Sequence, residues 1–360
     1  MIGEVWYLYA FDVANEITTS QIKTILGQTA VPYEIREHRN IPKEIPLYRP
    51  LAIEIPALSA DLQSQPVRTL IRVYEVGVVT IGMRVGFSAD KLQDLTHFHH
   101  PKLDDGRGLD EAARQLCVEV LENLKQFLVR SSPPSSPEPY TVFCITEIEG
   151  VQDDLEQWLA AERRAVAGLL SDADPSRLSE SQVVDVWRLQ RCYEKTDHVV
   201  IDWDAALVID LSGYVDDILY VLELANLQLE EFQTMDRALD RYLNQAYDDL
   251  ERRSMPLFGL TTIVLRTLRR FRVDLTKLAD EVTHITKFLG DWYLARVYLS
   301  ARERFYLDQW RTSVDRRLGQ LDQLYSVVHS DSYEQRMFLL EIIIVVLFTI
   351  DILALLFLKK

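Results

Sequence analysis

Histidine and aspartate residues are concentrated in one short stretch of the N-terminal half, and these residue types could support chemistry. Imidazole and carboxylate groups are ligands of zinc, but a zinc site needs a further ligand and a fixed geometry. The adjoining Pro101 indicates a loop, so the pattern favours a solvated loop and leaves a metal site as the alternative. The residues of this stretch are His97, His99, His100, Asp104 and Asp105.

A second group of carboxylates surrounds a short apolar stretch. Residues 199–210 are β-branched and apolar, which predicts a β-hairpin that turns near Trp203 and Asp204. The carboxylates of Asp202, Asp204 and Asp210 could bind a divalent cation. Turn formation and solvent-facing strand positions explain the same residues more simply, so we predict no metal site here.

The chain has one concentrated basic run, formed by Arg266, Arg269, Arg270 and Arg272. A positive helix face could contact anionic lipid or RNA. The net charge of the chain is −16, which repels polyanions and argues against direct DNA binding. Ion pairing with neighbouring helices is therefore the favoured role of these arginines, and a basic contact patch is the alternative.

The sequence has no motif typical of a catalytic or cofactor site. It contains no GxxxxGK[ST] or GxGxxG phosphate loop, no GxSxG elbow and no HExxH helix. Gly77 and Gly82 lie in a strand-like run, where glycine indicates a bulge or a close approach of two backbones. We therefore predict that the chain is not an enzyme and binds no cofactor or metal.

Hydrophobic patterning divides the chain into two parts before its C-terminal segment. Residues 1–150 carry β-branched and aromatic runs between amphipathic stretches, which predicts an α/β domain. Residues 151–330 are predicted to be helical apart from the hairpin, because apolar residues recur there every three or four positions. Such seams are typical of coiled coils and antiparallel bundles. The predicted strands are 5–13, 51–55, 70–81 and 140–148, and the predicted long helices are 215–253, 257–289 and 291–328.

The C-terminal stretch is the most apolar part of the chain. Residues 337–358 read MFLLEIIIVVLFTIDILALLFL and are followed by Lys359 and Lys360. At 1.5 Å per residue this stretch extends about 33 Å, close to the hydrocarbon thickness of a bilayer. It is predicted to be a transmembrane helix, with Glu341 near the interface and Asp351 deeper. Asp351 is either a tolerated acid or a polar contact between copies of the helix.

Together these patterns predict an α+β fold class: an N-terminal α/β domain, a long antiparallel, coiled-coil-like helical bundle and one C-terminal transmembrane helix. The N-terminus lacks the basic start of a signal peptide and the Arg-rich composition of a transit peptide. The expected localisation is therefore a membrane, with a single-pass tail anchor and a cytoplasmic body. Three cysteines without CxxC spacing, Cys117, Cys144 and Cys192, fit buried thiols in a reducing compartment.

Four segments resemble, in the same order, motifs of the required for meiotic nuclear division family. Their sequences are RVYEVGVVTI at 72–81, LELANLQLEE at 222–231, RLGQLDQLY at 317–325 and LEIIIVVLFTID at 340–351. The last motif carries an acid at each end of its apolar core, matched here by Glu341 and Asp351. The resemblance implies a membrane-associated protein that forms oligomers, and a mitochondrial member of that family supports organellar translation. The family offers no catalytic residues to carry over.

The leading functional hypothesis is a non-enzymatic, membrane-anchored scaffold that self-associates through its long helices and its C-terminal span. One alternative is a membrane tether that supports translation by holding ribosomes. Another is a metal-dependent enzyme in the N-terminal domain, with the histidine loop as its site. The expected partners are a lipid bilayer, further copies of the chain and, under the first alternative, the translation machinery.

Overall fold

The computed structural model describes residues 1–33, 50–55, 61–62, 65–134, 139–151, 155–211, 215–251, 272–273, 276 and 292–358. The chain folds into two compact units. The sheet unit comprises Met1–Phe232 and Ala279–Trp310, and the helical unit comprises Gln233–Leu278 and Arg311–Lys360.

Nine strands of the sheet unit form one mixed sheet. The described strands are β1 (Ile2–Asp12), β2 (Glu16–Ile17), β3 (Thr24–Ile25), β4 (Gln28–Thr29), β5 (Val31–Pro32), β6 (Leu51–Ile55), β7 (Arg68–Val73), β8 (Val78–Ser88), β9 (Leu128–Val129), β10 (Tyr140–Glu147), β11 (Gln190–Arg191), β12 (Asp197–Ile201) and β13 (Ala205–Asp210). The sheet order is β11-β12-β13-β10-β1-β8-β7-β6-β5. Neighbours are antiparallel except for β10 and β13, which run parallel. The small pairs β2–β9 and β3–β4 lie outside this sheet.

The middle of the sheet is buried on both faces. Along β1, Tyr7 and Tyr9 belong to the main hydrophobic core, and the alternating residues Trp6 and Leu8 are buried as well. Side chains of a strand point to opposite faces in turn, so both faces of β1 are covered. A strand that is buried on both faces has a continuous apolar sequence, which explains the run VWYLYAF in β1.

Short helices cover one face of the sheet. They are α1 (Leu109–Leu124), α2 (Leu155–Ala161), α3 (Arg163–Leu170) and α4 (Glu180–Trp187), together with a 3₁₀-helix at Leu92–His99. Helix α1 shows why they form, because Leu109, Ala112, Leu116, Val120 and Leu124 recur every three or four positions and are all buried. Asp110 and Glu111 lie in its first turn, where carboxylates interact favourably with the helix dipole.

Two further helices cover other parts of the sheet unit. The first turns of α5 (Asp216–Glu251) lie against the opposite face, where the side-chain amide of Asn226 donates to the carbonyl of Leu8 at 3.3 Å. Helix α6 (Trp292–Arg304) packs against β11 and β12. At its end, Arg304 Nε donates to the carbonyl of Ile201 at 3.2 Å. Polar contacts therefore fasten both helices to the backbone of the sheet.

In the helical unit, the later part of α5 lies beside α7 (Leu307–Leu358). Arg317 Nε on α7 lies 3.1 Å from Asp236 Oδ1 on α5, and Arg317 also pairs with Asp240. The apolar residues near these ion pairs are buried at helical spacing, as coiled-coil seams are. These residues are Leu239, Leu243, Val314, Leu318 and Leu321.

The predicted fold class is wrong, because the chain is a mixed α/β protein with a nine-stranded sheet, and none of its described helices could serve as the predicted span. The hairpin predicted at 199–210 corresponds to β12 and β13, but β13 also pairs in parallel with β10. The run predicted as one strand at 70–81 is a hairpin of β7 and β8. Gly77 makes its turn with φ +96°, and a Cβ there would lie 1.8 Å from the carbonyl oxygen of Ala14.

The predicted transmembrane helix is also wrong: within the described residues, no helix combines the length and apolarity needed to cross a membrane. The exposed apolar side chains that the structure describes on α7 occupy 344–350. The tail-anchored, single-pass topology and the membrane localisation are corrected on the same ground.

Candidate functional site

The most exposed apolar surface among the described residues lies on α7, at positions 344–350, which we name the apolar segment. Six of these seven residues are large hydrophobics, and each is between 49% and 67% exposed. Consecutive residues of a helix point about 100° apart, so the segment is apolar around its whole circumference. The seventh residue is Thr349, whose hydroxyl donates to the carbonyl of Val345 at 2.7 Å. The segment therefore offers apolar area with no competing side-chain donor.

The two polar positions predicted for this part of the chain border the apolar segment. Glu341 lies three residues before it and is exposed on α7. Asp351 follows it directly, and its side chain lies outside the described residues. Ile342 and Ile343 lie between Glu341 and the apolar segment, and their side chains lie outside the described residues.

Only one arginine of the basic run falls within the described residues. Arg272 forms an ion pair with Asp322 of α7 inside the helical unit. Arg266, Arg269 and Arg270 lie outside the described residues. This ion pair concerns only one of the four arginines, so the predicted role of the run stays a prediction.

The histidine stretch does not converge on one point in the structure. His99 Nε2 lies 2.6 Å from the carbonyl oxygen of Leu169, and burial lowers the pKa of its imidazole. His100 Nε2 lies 2.9 Å from Asp172 Oδ2, in an exposed pair. The ring of His97 packs against that of its neighbour Phe98. Within the described residues, no group of three His, Cys, Asp or Glu side chains could hold a metal ion.

The three carboxylates of the hairpin are also separated. Asp202 and Asp204 lie at the turn between β12 and β13, whereas Asp210 ends β13, about 20 Å away along the strand. Asp202 accepts a hydrogen bond from the backbone N–H of Trp203 at 2.9 Å. This is the turn chemistry that the sequence favoured over cation binding. Asp204 lies close enough to His99 to oppose the lowering of its pKa.

Sequence reasoning missed an arginine that holds the hairpin turn. Arg304 is nearly fully buried, and its Nη1 lies 2.9 Å from Asp185 Oδ2 and 3.4 Å from Asp202 Oδ1. Burial raises the pKa of Asp202, while Arg304 acts in the opposite direction. These groups satisfy one another, so the cluster fixes α6 against α4 and the hairpin. Asp185 and Arg304 are 119 positions apart, and no local pattern in the sequence links them.

A second buried ion pair fastens α5 to the sheet. Arg72 on β7 pairs with Glu223, and the guanidinium lies over the ring of Tyr33 at 4.1 Å. Glu223 also accepts hydrogen bonds from the hydroxyls of Tyr74 and Thr80. Burial alone would lower the pKa of Arg72, but Glu223 and the neighbouring tyrosines raise it above its ordinary value. The cluster is compensated and closed to solvent, which indicates a structural role.

An open cavity of about 480 Å³ lies at the edge of the sheet unit. Its lining includes the indole of Trp158, the ammonium of Lys91 and the carboxylates of Asp90, Glu149 and Glu162. Nucleophilic catalysis needs a nucleophile beside a base. The described lining holds no serine, cysteine or histidine, so none of the described residues there forms a Ser–His or Cys–His pair.

Comparison with known proteins connects the chain to one described family. A family model for the N-terminal domain of "Uncharacterized protein MJ0711" matches residues 2–216. The chain is 20% identical to uncharacterized protein MJ0711 of Methanocaldococcus jannaschii over 238 residues, which are 66% of this chain and 72% of that protein. No solved structure matches the chain.

The resemblance to the required for meiotic nuclear division family is therefore wrong. The four motifs that carried it are apolar strand and helix patterns. Any chain with buried strands and amphipathic helices presents such patterns at 2.0 and 3.6 residue periods. The order of the motifs did not make them specific.

Proposed function

The chain belongs to the family of the MJ0711 N-terminal domain, and we propose that it is a non-enzymatic scaffold that self-associates through the apolar segment of α7. The observation that carries this proposal is the exposure of six large apolar side chains within seven consecutive residues. Contiguous exposed apolar area of this kind marks interaction sites.

The gain from covering the apolar segment is large enough to drive association. Full burial of one large apolar side chain contributes about 1.5–3 kcal/mol. Because the six side chains are about half exposed, covering them contributes about 5–9 kcal/mol per copy. A dimer covers two segments, about 9–18 kcal/mol together, against an association cost of about 4–15 kcal/mol. Oligomers larger than a dimer increase this margin.

The geometry of the segment favours further copies of the same chain as the occupant. A groove on a globular partner covers one stripe of a helix and leaves the opposite side in water. The apolar segment is exposed on all sides, so full coverage needs several helices around it. Identical helices packed side by side provide this arrangement in a symmetric bundle.

The proposal is tested by sedimentation velocity of the full chain across a dilution series. We expect the wild type to sediment as an oligomer and Val345→Lys to shift toward the monomer. The added lysine reduces the net charge of −16, so greater repulsion between copies cannot explain a dissociation. Burying an unpaired ammonium in the contact is the cause that the substitution introduces.

Val184→Lys is the matched control. Val184 is 52% exposed on α4, compared with 64% for Val345 on α7. The control should leave the oligomer intact. A wild type that sediments as a monomer throughout, or equal dissociation of both variants, would refute the proposal.

A further inference from the structure

Helix α6 of the sheet unit is buried on every side except one narrow strip. The exposed residues are Trp292, Arg296, Leu299 and Glu303, which follow one another at spacings of four, three and four. Trp292 is 67% exposed, the largest exposed fraction of any described tryptophan. An exposed indole lacks the favourable free energy that its burial would contribute, so the composition of this strip is typical of a surface that a partner covers.

Two residues of the neighbouring edge strand and its following turn extend this strip. The exposed ring of Tyr193 packs against Tyr293 of α6 at 5.6 Å between centroids. Arg191 ends β11, the edge strand of the sheet. We name the α6 surface as the set Arg191, Tyr193, Trp292, Arg296 and Leu299. Tryptophan, tyrosine and arginine are the residue types that dominate binding energy at protein interfaces.

Within the described residues, neither arginine of the α6 surface is joined to a carboxylate in an ion pair. Burial and the positive charge of Arg296 lower the pKa of Arg191, whose Nε is buried without a hydrogen-bond partner. Arg296 lies over the ring of Trp292 at 4.6 Å. The carboxylate of Glu303 opposes this lowering of the pKa of Arg191, but it forms its ion pair with Arg188. Across the part of the chain that the structure describes, neither Arg191 nor Arg296 forms an ion pair.

We propose that the α6 surface binds an acidic segment of a partner protein, with carboxylates at Arg191 and Arg296 and apolar side chains over Trp292 and Leu299. Two guanidinium groups without an ion pair among the described residues match one or two carboxylates, and arginine binds carboxylate in a fork geometry. This surface is separate from the apolar segment of α7, so the inference does not rest on the proposed self-association.

The charges also argue against two other occupants, a second copy of this surface and a nucleic acid. A two-fold contact of the α6 surface with itself would bring its arginines toward their own copies, because symmetric interfaces use the same patch twice. A nucleic acid carries a continuous line of negative charge, and the rest of a chain of net charge −16 repels it. A short acidic segment depends only on the positive charge near the contact, because salt screens the more distant negative charges of the chain.

The test uses fluorescence anisotropy with a labelled decapeptide of alternating Glu and Leu and with its Gln and Leu counterpart. It is run on the full chain carrying Val345→Lys, so that self-association does not affect the result. We expect the acidic peptide to bind about tenfold more tightly than the neutral one. Arg296→Gln and Trp292→Ala should each weaken binding of the acidic peptide by about tenfold.

Arg114→Gln, an exposed arginine on α1, is the matched control and should leave the affinity unchanged. Arg191→Lys keeps the positive charge but lacks the forked guanidinium, so it should retain part of the affinity for the acidic peptide. Arg191→Gln removes the charge as well and should not retain that affinity. Equal binding of both peptides, or equal loss in the Arg114 variant, overturns the proposal. Tighter binding of a labelled single-stranded oligonucleotide through the same arginines would identify a nucleic-acid surface, and a change in sedimentation caused by Arg296→Gln would identify a contact between copies.

Discussion

Glu223→Leu is expected to destabilise the sheet unit strongly, because it removes one partner of a buried ion pair. The side chains of Arg72 and Glu223 are only 5% and 2% exposed. The substitution leaves the guanidinium of Arg72 buried without its carboxylate. It also removes the acceptor of the hydroxyls of Tyr74 and Thr80. Water cannot reach the guanidinium to replace these contacts while α5 stays in place.

The size of the effect follows from these contacts. Removing one partner of a buried pair costs about 3–5 kcal/mol, and two lost hydrogen bonds add about 1–2 kcal/mol. We therefore expect a decrease of about 4–7 kcal/mol in the free energy of unfolding. For a unit of this size each kcal/mol lowers Tm by about 2–4 °C, so Tm should fall by about 8–28 °C. Urea denaturation followed by far-ultraviolet circular dichroism measures the free energy of unfolding, and thermal unfolding followed by the same signal measures Tm.

The double variant Arg72→Met/Glu223→Leu is the decisive control. Replacing both partners of a buried ion pair with apolar residues is often neutral or stabilising, because no charge remains to be desolvated. The double variant should therefore recover most of the stability lost in Glu223→Leu. If the double variant is as unstable as the single one, the loss comes from packing, and the electrostatic reasoning is refuted.

Three further substitutions or labelling experiments test other parts of the structure. Burial lowers the pKa values of His99 and His198, so the unfolded chain takes up protons first as the pH falls below about 6.5, and stability decreases. The double variant His99→Gln/His198→Gln should weaken this pH dependence of stability, measured by urea denaturation at pH about 7 and about 5. An unchanged pH dependence would contradict the prediction. Gly77→Ala should lower the free energy of unfolding by at least about 2 kcal/mol in the same assay, because the site combines a positive φ with a backbone clash. Gly27 also has a positive φ but has open space around it, so Gly27→Ala should lower the free energy of unfolding by only about 1–2 kcal/mol. Iodoacetamide should label the exposed Cys192 in the native protein. It should spare Cys117 and Cys144 until the chain unfolds, because both are buried and burial raises the pKa of their thiols. Mass spectrometry that finds the label on Cys144 in the native protein would contradict the described core.

Local patterns in the sequence located most strands but could not show how they pair. The strand predicted at 5–13 overlaps β1, and that at 140–148 overlaps β10, because central strands read as continuous apolar runs. The parallel pairing of β10 with β13 joins residues more than 60 positions apart. Periodicity carries no information about a contact at that separation, so the hairpin was predicted as an exception within the helical region and not as part of the large sheet.

Gly77 illustrates a local signal that was read only in part. Its sequence context indicated a bulge or a close backbone approach, and the close approach to Ala14 is present. The turn that divides 70–81 into two strands was missed, because the residues on both sides are β-branched and apolar. A glycine within such a run supports either a strand with a bulge or a tight hairpin.

The residues that fasten the helices to the sheet were not predictable from spacing. Candidate sites were sought where chemically active residues are adjacent in sequence, as in the histidine stretch. In the structure those histidines have separate contacts, whereas Arg72 meets Glu223 across 151 positions. Buried charges are rare and are kept only when paired. An isolated arginine in a strand followed by a glutamate in an apolar helix was the available signal.

The two proposed surfaces should respond to salt in opposite directions, and this separates them in one experiment. Burial of the apolar segment does not weaken with ionic strength, and salt screens the repulsion between copies of net charge −16. Self-association should therefore persist or strengthen as salt rises. Binding of the acidic peptide depends on Arg191 and Arg296 and should weaken over the same range. Oligomers that dissociate with added salt would show that charge, and not the apolar segment, holds the copies together.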